Sequence, residues 1–223
     1  MHYLIKPVDS PPPINGDWND PTWQAADVLD VNNFLSNSSE HHPRVQARVL
    51  YHGDGLSVFF QVDDRYVRCV HTSHQDHVYE DSCVEFFVQP KADKGYVNFE
   101  INCGGTMLVH YNVHRKHGYL PVHDQTELPA EWLNRVEVYH SMPDRVEPEI
   151  EEPVQWQLQY NVPFALLAEY VGPLGDLPGQ TWRANFFKCA DKTSHPHWAS
   201  WSPIEDGFNF HQPKYFGELR FDR

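Results

Sequence analysis

The chain's strongest constraint is an alternation of period two that returns in at least seven segments. Val45, Ala47, Val49 and Tyr51 alternate with Arg44, Gln46 and Arg48, and His52-Gly53-Asp54-Gly55 reads as a hairpin turn into Leu56, Val58, Phe60 and Val62. The pattern returns at Val84–Val88, at Val97–Ile101, at Met107–Tyr111, at Val154–Tyr160, at Trp182–Phe186 and in a closing strand at Tyr215–Phe221. A period of two puts successive side chains on opposite faces of a strand, so one face of each segment is built for burial. Helical periodicity is confined to Pro163–Tyr170, with proline at the start and Gly172 beyond the end. The prediction is an all-β fold: a single-domain antiparallel β-sandwich over residues 1–223 with nine or ten strands and one or two short helices. Residues 112–131, 141–153 and 189–212 lack periodicity and read as long loops.

Composition narrows the partners. Thirty-one acidic against seventeen basic side chains give a formal charge of −14, so neither a nucleic-acid backbone nor an anionic membrane is an expected partner. No stretch approaches the roughly 20 apolar residues of a membrane span, and residues 1–20 carry no apolar signal-like core, so a soluble, cytoplasmic chain is expected. The four cysteines, Cys69, Cys83, Cys103 and Cys189, form no CxxC pair and no zinc spacing. Cys83 and Cys103 are candidates for facing strand positions.

The chemistry is expected on strand faces opposite the core. Glu85, then Asn98, Glu100 and Asn102, then Arg183 and Asn185 occupy outward positions, and Gln155, Gln157 and Gln159 do so on another strand. Outer faces of antiparallel sheets are ordinarily just solvated. This set is rich in planar amides and carboxylates, which pair with vicinal hydroxyls through fixed donors and acceptors. Tyr79 before the Glu85 strand, with Trp198 and Trp201 in the later loop, are candidate aromatic platforms. Alternatively, the tryptophans are plugs beneath a loop.

These segments resemble family 9 carbohydrate-binding modules, in particular stand-alone proteins like them. The resemblance is carried by Tyr79-Glu80-Asp81-Ser82-Cys83-Val84-Glu85-Phe86, Gly95–Asn102, Trp156–Pro163, Trp182–Phe186 and Phe210–Leu219, with Trp18, Trp23 and Ala25-Ala26 near the start. It implies a β-sandwich holding glucose- or xylose-type sugars between two aromatic rings. Tyr79 matches one clamp aromatic, Glu85 the hydroxyl-binding carboxylate and Asn185 an amide contact. The second clamp position falls on Lys188, so Trp198 or Trp201, in a loop Asp191–Pro203 closing over the face, is expected to replace it. The resemblance also implies structural calcium, for which Asp63, Asp64, Asp76 and Asp81 are hard oxygen ligands.

Two other readings stay open on the residues alone. A polysaccharide-active enzyme, glycoside hydrolase or lyase, would use Glu85 with Glu100 or loop histidines. There are fifteen histidines, among them His71, His74, His77, His110, His114, His117, His195, His197 and His211. A haem-binding sandwich would need Met107 or Met142 with a histidine. No GxSxG, P-loop or post-strand GxGxxG is present.

Overall fold

A computed structural model describes residues 1–117, 120–207 and 209–223; the side chains of residues 115–117, His117 included, and 120–122 lie outside what it describes. Eleven strands carry the architecture: β1 (His2–Pro7), β2 (Arg44–His52), β3 (Gly55–Asp64), β4 (Cys83–Gln89), β5 (Tyr96–Asn102), β6 (Met107–His117), β7 (Leu120–Glu127), β8 (Val154–Pro163), β9 (Thr181–Cys189), β10 (Trp198–Ser200) and β11 (Gly217–Phe221). Two short helices, α1 (Ala130–Leu133) and α2 (Phe164–Val171), complete the regular structure with a few single 3-10 turns and two- to five-residue strands.

One sheet runs β7-β6-β5-β4-β9-β11, and the other runs β2-β3-β8 to an edge strand Val138–His140. Strand β1 joins them, its first half pairing with β11 and its last two residues with β2. Those two pairings are parallel; every other ladder among the described residues is antiparallel. The inward series of both sheets meet in one core, where Phe86 stacks on Phe186 at 4.8 Å and Trp156, Trp182 and Tyr160 are closed off from solvent. Each such side chain contributes about 1.5–3 kcal/mol through burial.

All three expected loops contain strands. Strands β6 and β7 pair antiparallel at the sheet edge, the ladder running from Glu127 opposite His110 to Leu120 opposite His117. Much of this edge pair lies beyond the core, so neither face needs an apolar series and the alternation disappears. Residues 189–212 contain β10, which adds to the end of β9 through Cys189 opposite Trp198 and Phe187 opposite Ser200. Within residues 141–153, Val146–Ile150 is a strand paired with Val67–Cys69. The outer face of the β4-β5-β9 sheet is also not simply solvated. Phe87, Tyr96, Phe187, Phe210 and Phe216 form a second apolar cluster there, under the 204–216 segment. What stays open is a cleft at one end of that face. Among the described residues, no helix is long and apolar enough to cross a membrane.

Candidate functional site

The cleft encloses about 550 Å³. Its floor is Glu85 on β4, Glu100 on β5 and Cys189 on β9, and its walls include Tyr79, His110, His123, Gln125, Asp191, Trp198, Phe210 and His211. Strand parity brings the floor together. Glu85 faces Glu100 directly across the β4–β5 ladder, and Cys189 faces Cys83, two residues from Glu85 on the same side.

The floor is dry. Glu85 is 3% and Glu100 5% exposed. The Cys189 thiol donates to Glu85 Oε1 at 2.9 Å, and Asn98 Nδ2 donates to Glu100 Oε1 at 2.7 Å. Behind Asn98 the chain continues: Asn112 donates to Asn98 Oδ1, and Asn112 Oδ1 receives Gln125 Nε2 at 3.1 Å and lies 2.9 Å from His123 Nε2. Burial pushes the Glu100 carboxyl up to about 8, and burial, with Cys189 and Glu100 alongside, raises Glu85 well above the carboxylate range. Burial also raises Asp191. The imidazoles move the other way. Burial, reinforced by neighbouring histidines, lowers His211 to about 3, and burial lowers His110, His114 and His123. Burial thus favours the neutral forms of the two floor glutamates and of these histidines. Polar groups that both donate and accept make the floor, and the carboxyls of Asp191 and Glu127 stand on the walls.

The aromatic walls are anchored to one another. Trp198 Nε1 donates to Asp191 Oδ1 at 2.6 Å, and the Asp191 N–H donates to the Tyr79 carbonyl at 3.1 Å. His77 stacks on the Tyr79 ring. Both Tyr79 and Trp198 remain half-buried, with ring surface on the cleft. Trp198 is held by β10 pairing rather than by a closing loop. Trp201 lies in the core against Phe186, at 5.7 Å between ring centroids. Gly217 makes room for it, since a Cβ there would sit 2.5 Å from the ring.

Of the side chains expected at the site, Tyr79, Glu85, Glu100 and Trp198 line the cleft, and Asn98 stands directly behind Glu100. The others are placed elsewhere. Asn102 is buried and donates to the His71 carbonyl and to Asp81 Oδ2, holding a turn. Arg183 donates to the Phe216 carbonyl, and Asn185 clamps the backbone of Ser202 through both N–H and C=O. Gln157 sits on the other sheet, donating to Gln61 Oε1. Lys188 points into the sandwich, because a step of three along an unbroken strand from Asn185 crosses to the opposite face. The sequence reading overlooked Cys189, Asp191 and the cleft role of His110 and His123. The one signal was His110 at a period-two position opposite Asn98.

The expected calcium set does not fit an ion. Asp63 is an outer-face partner of Gln155, while Asp64 turns inward to Lys188, Trp156 and His41. Asp76 pairs with His71. Asp81 receives Arg68 on one oxygen and the Val70 N–H, His71 N–H and Asn102 amide on the other, so N–H donors take the lone pairs a cation would need. Met107 and Met142 are packed in the core and offer no sulfur to the cleft. Cys83 faces Cys189 and Asn102 rather than Cys103, and all four thiols are free.

The sequence profile of carbohydrate-binding family 9 matches residues 19–221. The chain belongs to that family. Among solved structures it is similar to a candidate carbohydrate-binding protein from Bacteroides uniformis, with a TM-score of 0.86, 28% identity and 99% of each chain covered. A family 9 module from Caldicellulosiruptor kristjanssonii in complex with cellotriose shares the fold, at TM-score 0.64 and 12% identity, over 100% of this chain and 94% of that one. The glucose complex of a family 9 module from the same organism gives 0.63 and 12%, over 100% and 97%. No curated protein matches.

Proposed function

We propose that this family 9 chain binds carbohydrate without catalysis, taking a mono- or oligosaccharide into the cleft between Tyr79 and Trp198. The observation that carries the reading is a buried floor of hydrogen-bonding groups beside half-buried aromatic walls. A sugar presents neutral hydroxyls that need both donors and acceptors, and C–H faces that need apolar rings. The buried His110 Nδ1 has no hydrogen-bond partner among the described residues, and a ligand hydroxyl would satisfy it. The amides around Asn98 and Asn112 are fixed by one another, which lowers the ordering cost of binding. The match to family 9, with relatives solved in complex with glucose and cellotriose, supports the same ligand class.

Glu85 and Glu100 do not divide into the acid and base of a glycosidase. Both are pushed upward by burial, whereas that chemistry needs one carboxylate ionised. Calorimetry over glucose, xylose and their oligomers tests the proposal, with a reducing-end assay on the same mixtures. Saturable binding that weakens by about tenfold in Tyr79→Ala and in Trp198→Ala, without new reducing ends, is the expected result. Absence of binding across the panel, or sugar release, overturns it.

A further inference from the structure

The four cysteines, scattered in sequence, converge as two thiol pairs. Cys69 contacts Cys103, and Cys83 contacts Cys189. The first pair is spent on carbonyls, Cys69 on Asp144 and Cys103 on Arg68. The second opens on the cleft, where Cys189 forms part of the floor. Cys83 Sγ, Cys189 Sγ and a carboxyl oxygen of Glu85 all lie within 4.8 Å of one another. Two sulfurs and one carboxyl oxygen form a donor set for zinc-like ions; calcium and magnesium take oxygen only. Three protein ligands that leave one position open match the layout of an accessible tetrahedral site.

We propose that Cys83, Cys189 and Glu85 bind a thiophilic divalent cation of the zinc type on the floor of the cleft, with its open coordination position toward the ligand space. The cation displaces the Cys189 thiol proton donated to Glu85 Oε1, together with the protons of the Cys83 thiol and the Glu85 carboxyl. Binding is M²⁺ + 2 RSH + RCOOH → [M(SR)₂(O₂CR)]⁻ + 3 H⁺, so three protons leave and one negative charge remains. The Lys188 ammonium, close enough to act on Cys83, offsets that charge. A second donor triad, His41, Asp64 and His197, is excluded by the same lysine, whose Nζ sits 3.7 Å from Asp64 Oδ2 and 3.0 Å from His197 Nε2. One cluster already contains its cation, and the other does not. The proposal stands independently of the sugar reading.

Cadmium titration of the full chain, followed by thiolate-to-metal charge-transfer absorption, tests it. The expected band saturates at one equivalent, strengthens as pH rises, and is accompanied by proton release in weak buffer. It persists in the Cys69→Ser/Cys103→Ser double variant and is lost in Cys83→Ser and in Cys189→Ser. Glu85→Gln lowers the affinity at least about tenfold, the usual scale for a disturbed ligand sphere. Alkylation of the unaltered protein, read by mass spectrometry, keeps the test decisive even where a cysteine variant fails to fold: zinc must protect Cys189. No band at stoichiometric cadmium, a band that disappears with Cys69 and Cys103 instead, or unprotected Cys189 overturns the proposal.

Discussion

Strand β9 carries a buried polar cluster on each of its faces, and the two are built on opposite principles. On the core side, Lys188 meets Asp64, His197 and the ring of Trp156, while Asp64 also takes His41 and the Trp156 N–H. Opposite charges and N–H donors satisfy one another, and Lys188 is fully buried. On the cleft side, Glu85, Glu100, Asp191 and Cys189 are all acidic or weakly acidic, and among the described residues no lysine or arginine lines the space with them. Burial raises all four, which favours their protonated forms. A closed cluster of paired charges fixes the sandwich, whereas an open cluster of protonated groups keeps hydrogen-bonding capacity for something that arrives later.

Removing the lysine is the harshest way to break this comparison. Lys188→Met leaves Asp64 buried beside a neutral side chain and is expected to cost about 3–5 kcal/mol, the scale for breaking one partner of a buried pair. Urea denaturation measures it; a neutral effect would mean that His41 and Trp156 suffice to hold Asp64. The two tryptophans sharpen the same contrast. Trp201→Ala empties a core site and should lose about 3–5 kcal/mol of stability. Trp198→Ala should lose less than half of that and weaken sugar binding by about tenfold, ~1.4 kcal/mol. Equal stability losses would return Trp198 to the role of a plug.

The clusters also respond to pH with opposite sign. Asp64, although its burial acts against it, is driven below the carboxylate range by Lys188 and its hydrogen bonds. Its contribution is present above its unfolded value of 3.8 and is lost as pH falls through the lower folded value. Glu100 is raised from 4.5 to about 8. Between those values the unfolded chain releases the proton that the folded chain keeps, so stability falls as pH rises through that window and levels off above it. Thermal unfolding of Glu100→Gln between pH 4.5 and 8 should lack this falling contribution, while Glu85 keeps the same sign and the lowered histidines, His197 and His211 foremost, add the opposite one below about 6.5. An unchanged slope would show that Glu100 ionises freely.

Most of the fold was legible because alternation marks any strand with one face on the core. It failed for β6 beyond Tyr111 and for β7, where neither face is uniformly apolar, and for β10, whose three residues are too few to show a period. The site was legible where a carboxylate stood at an outward position of a periodic strand, as with Glu85 and Glu100, and where an aromatic stood just before such a strand, as with Tyr79. Asn185 and Asn102 have the right parity and yet hold backbone, because a sequence does not say whether an outer face is open or lies under a covering segment such as 204–216. Lys188 was misplaced by reading a spacing without its parity. Cys189 and Asp191 became visible only when the β9–β10 pairing placed Trp198 beside them.

The mildest perturbation tests the protonation on which the contrast rests. Glu85 is buried, raised by burial and by its acidic neighbours, and accepts the Cys189 thiol proton. A protonated carboxyl and a carboxamide are nearly isosteric, and the amide oxygen can still accept that S–H. Glu85→Gln should therefore change stability by less than about 1 kcal/mol and sugar affinity by less than about threefold, ~0.6 kcal/mol. An ionised Glu85 would behave otherwise. Its loss would cost about 1.5–3 kcal/mol of binding, the range for a hydrogen bond to a charged group. Calorimetry of this one variant separates the cases: a large loss makes Glu85 a hydroxyl-binding carboxylate, and a small one leaves it a neutral member of the cleft floor.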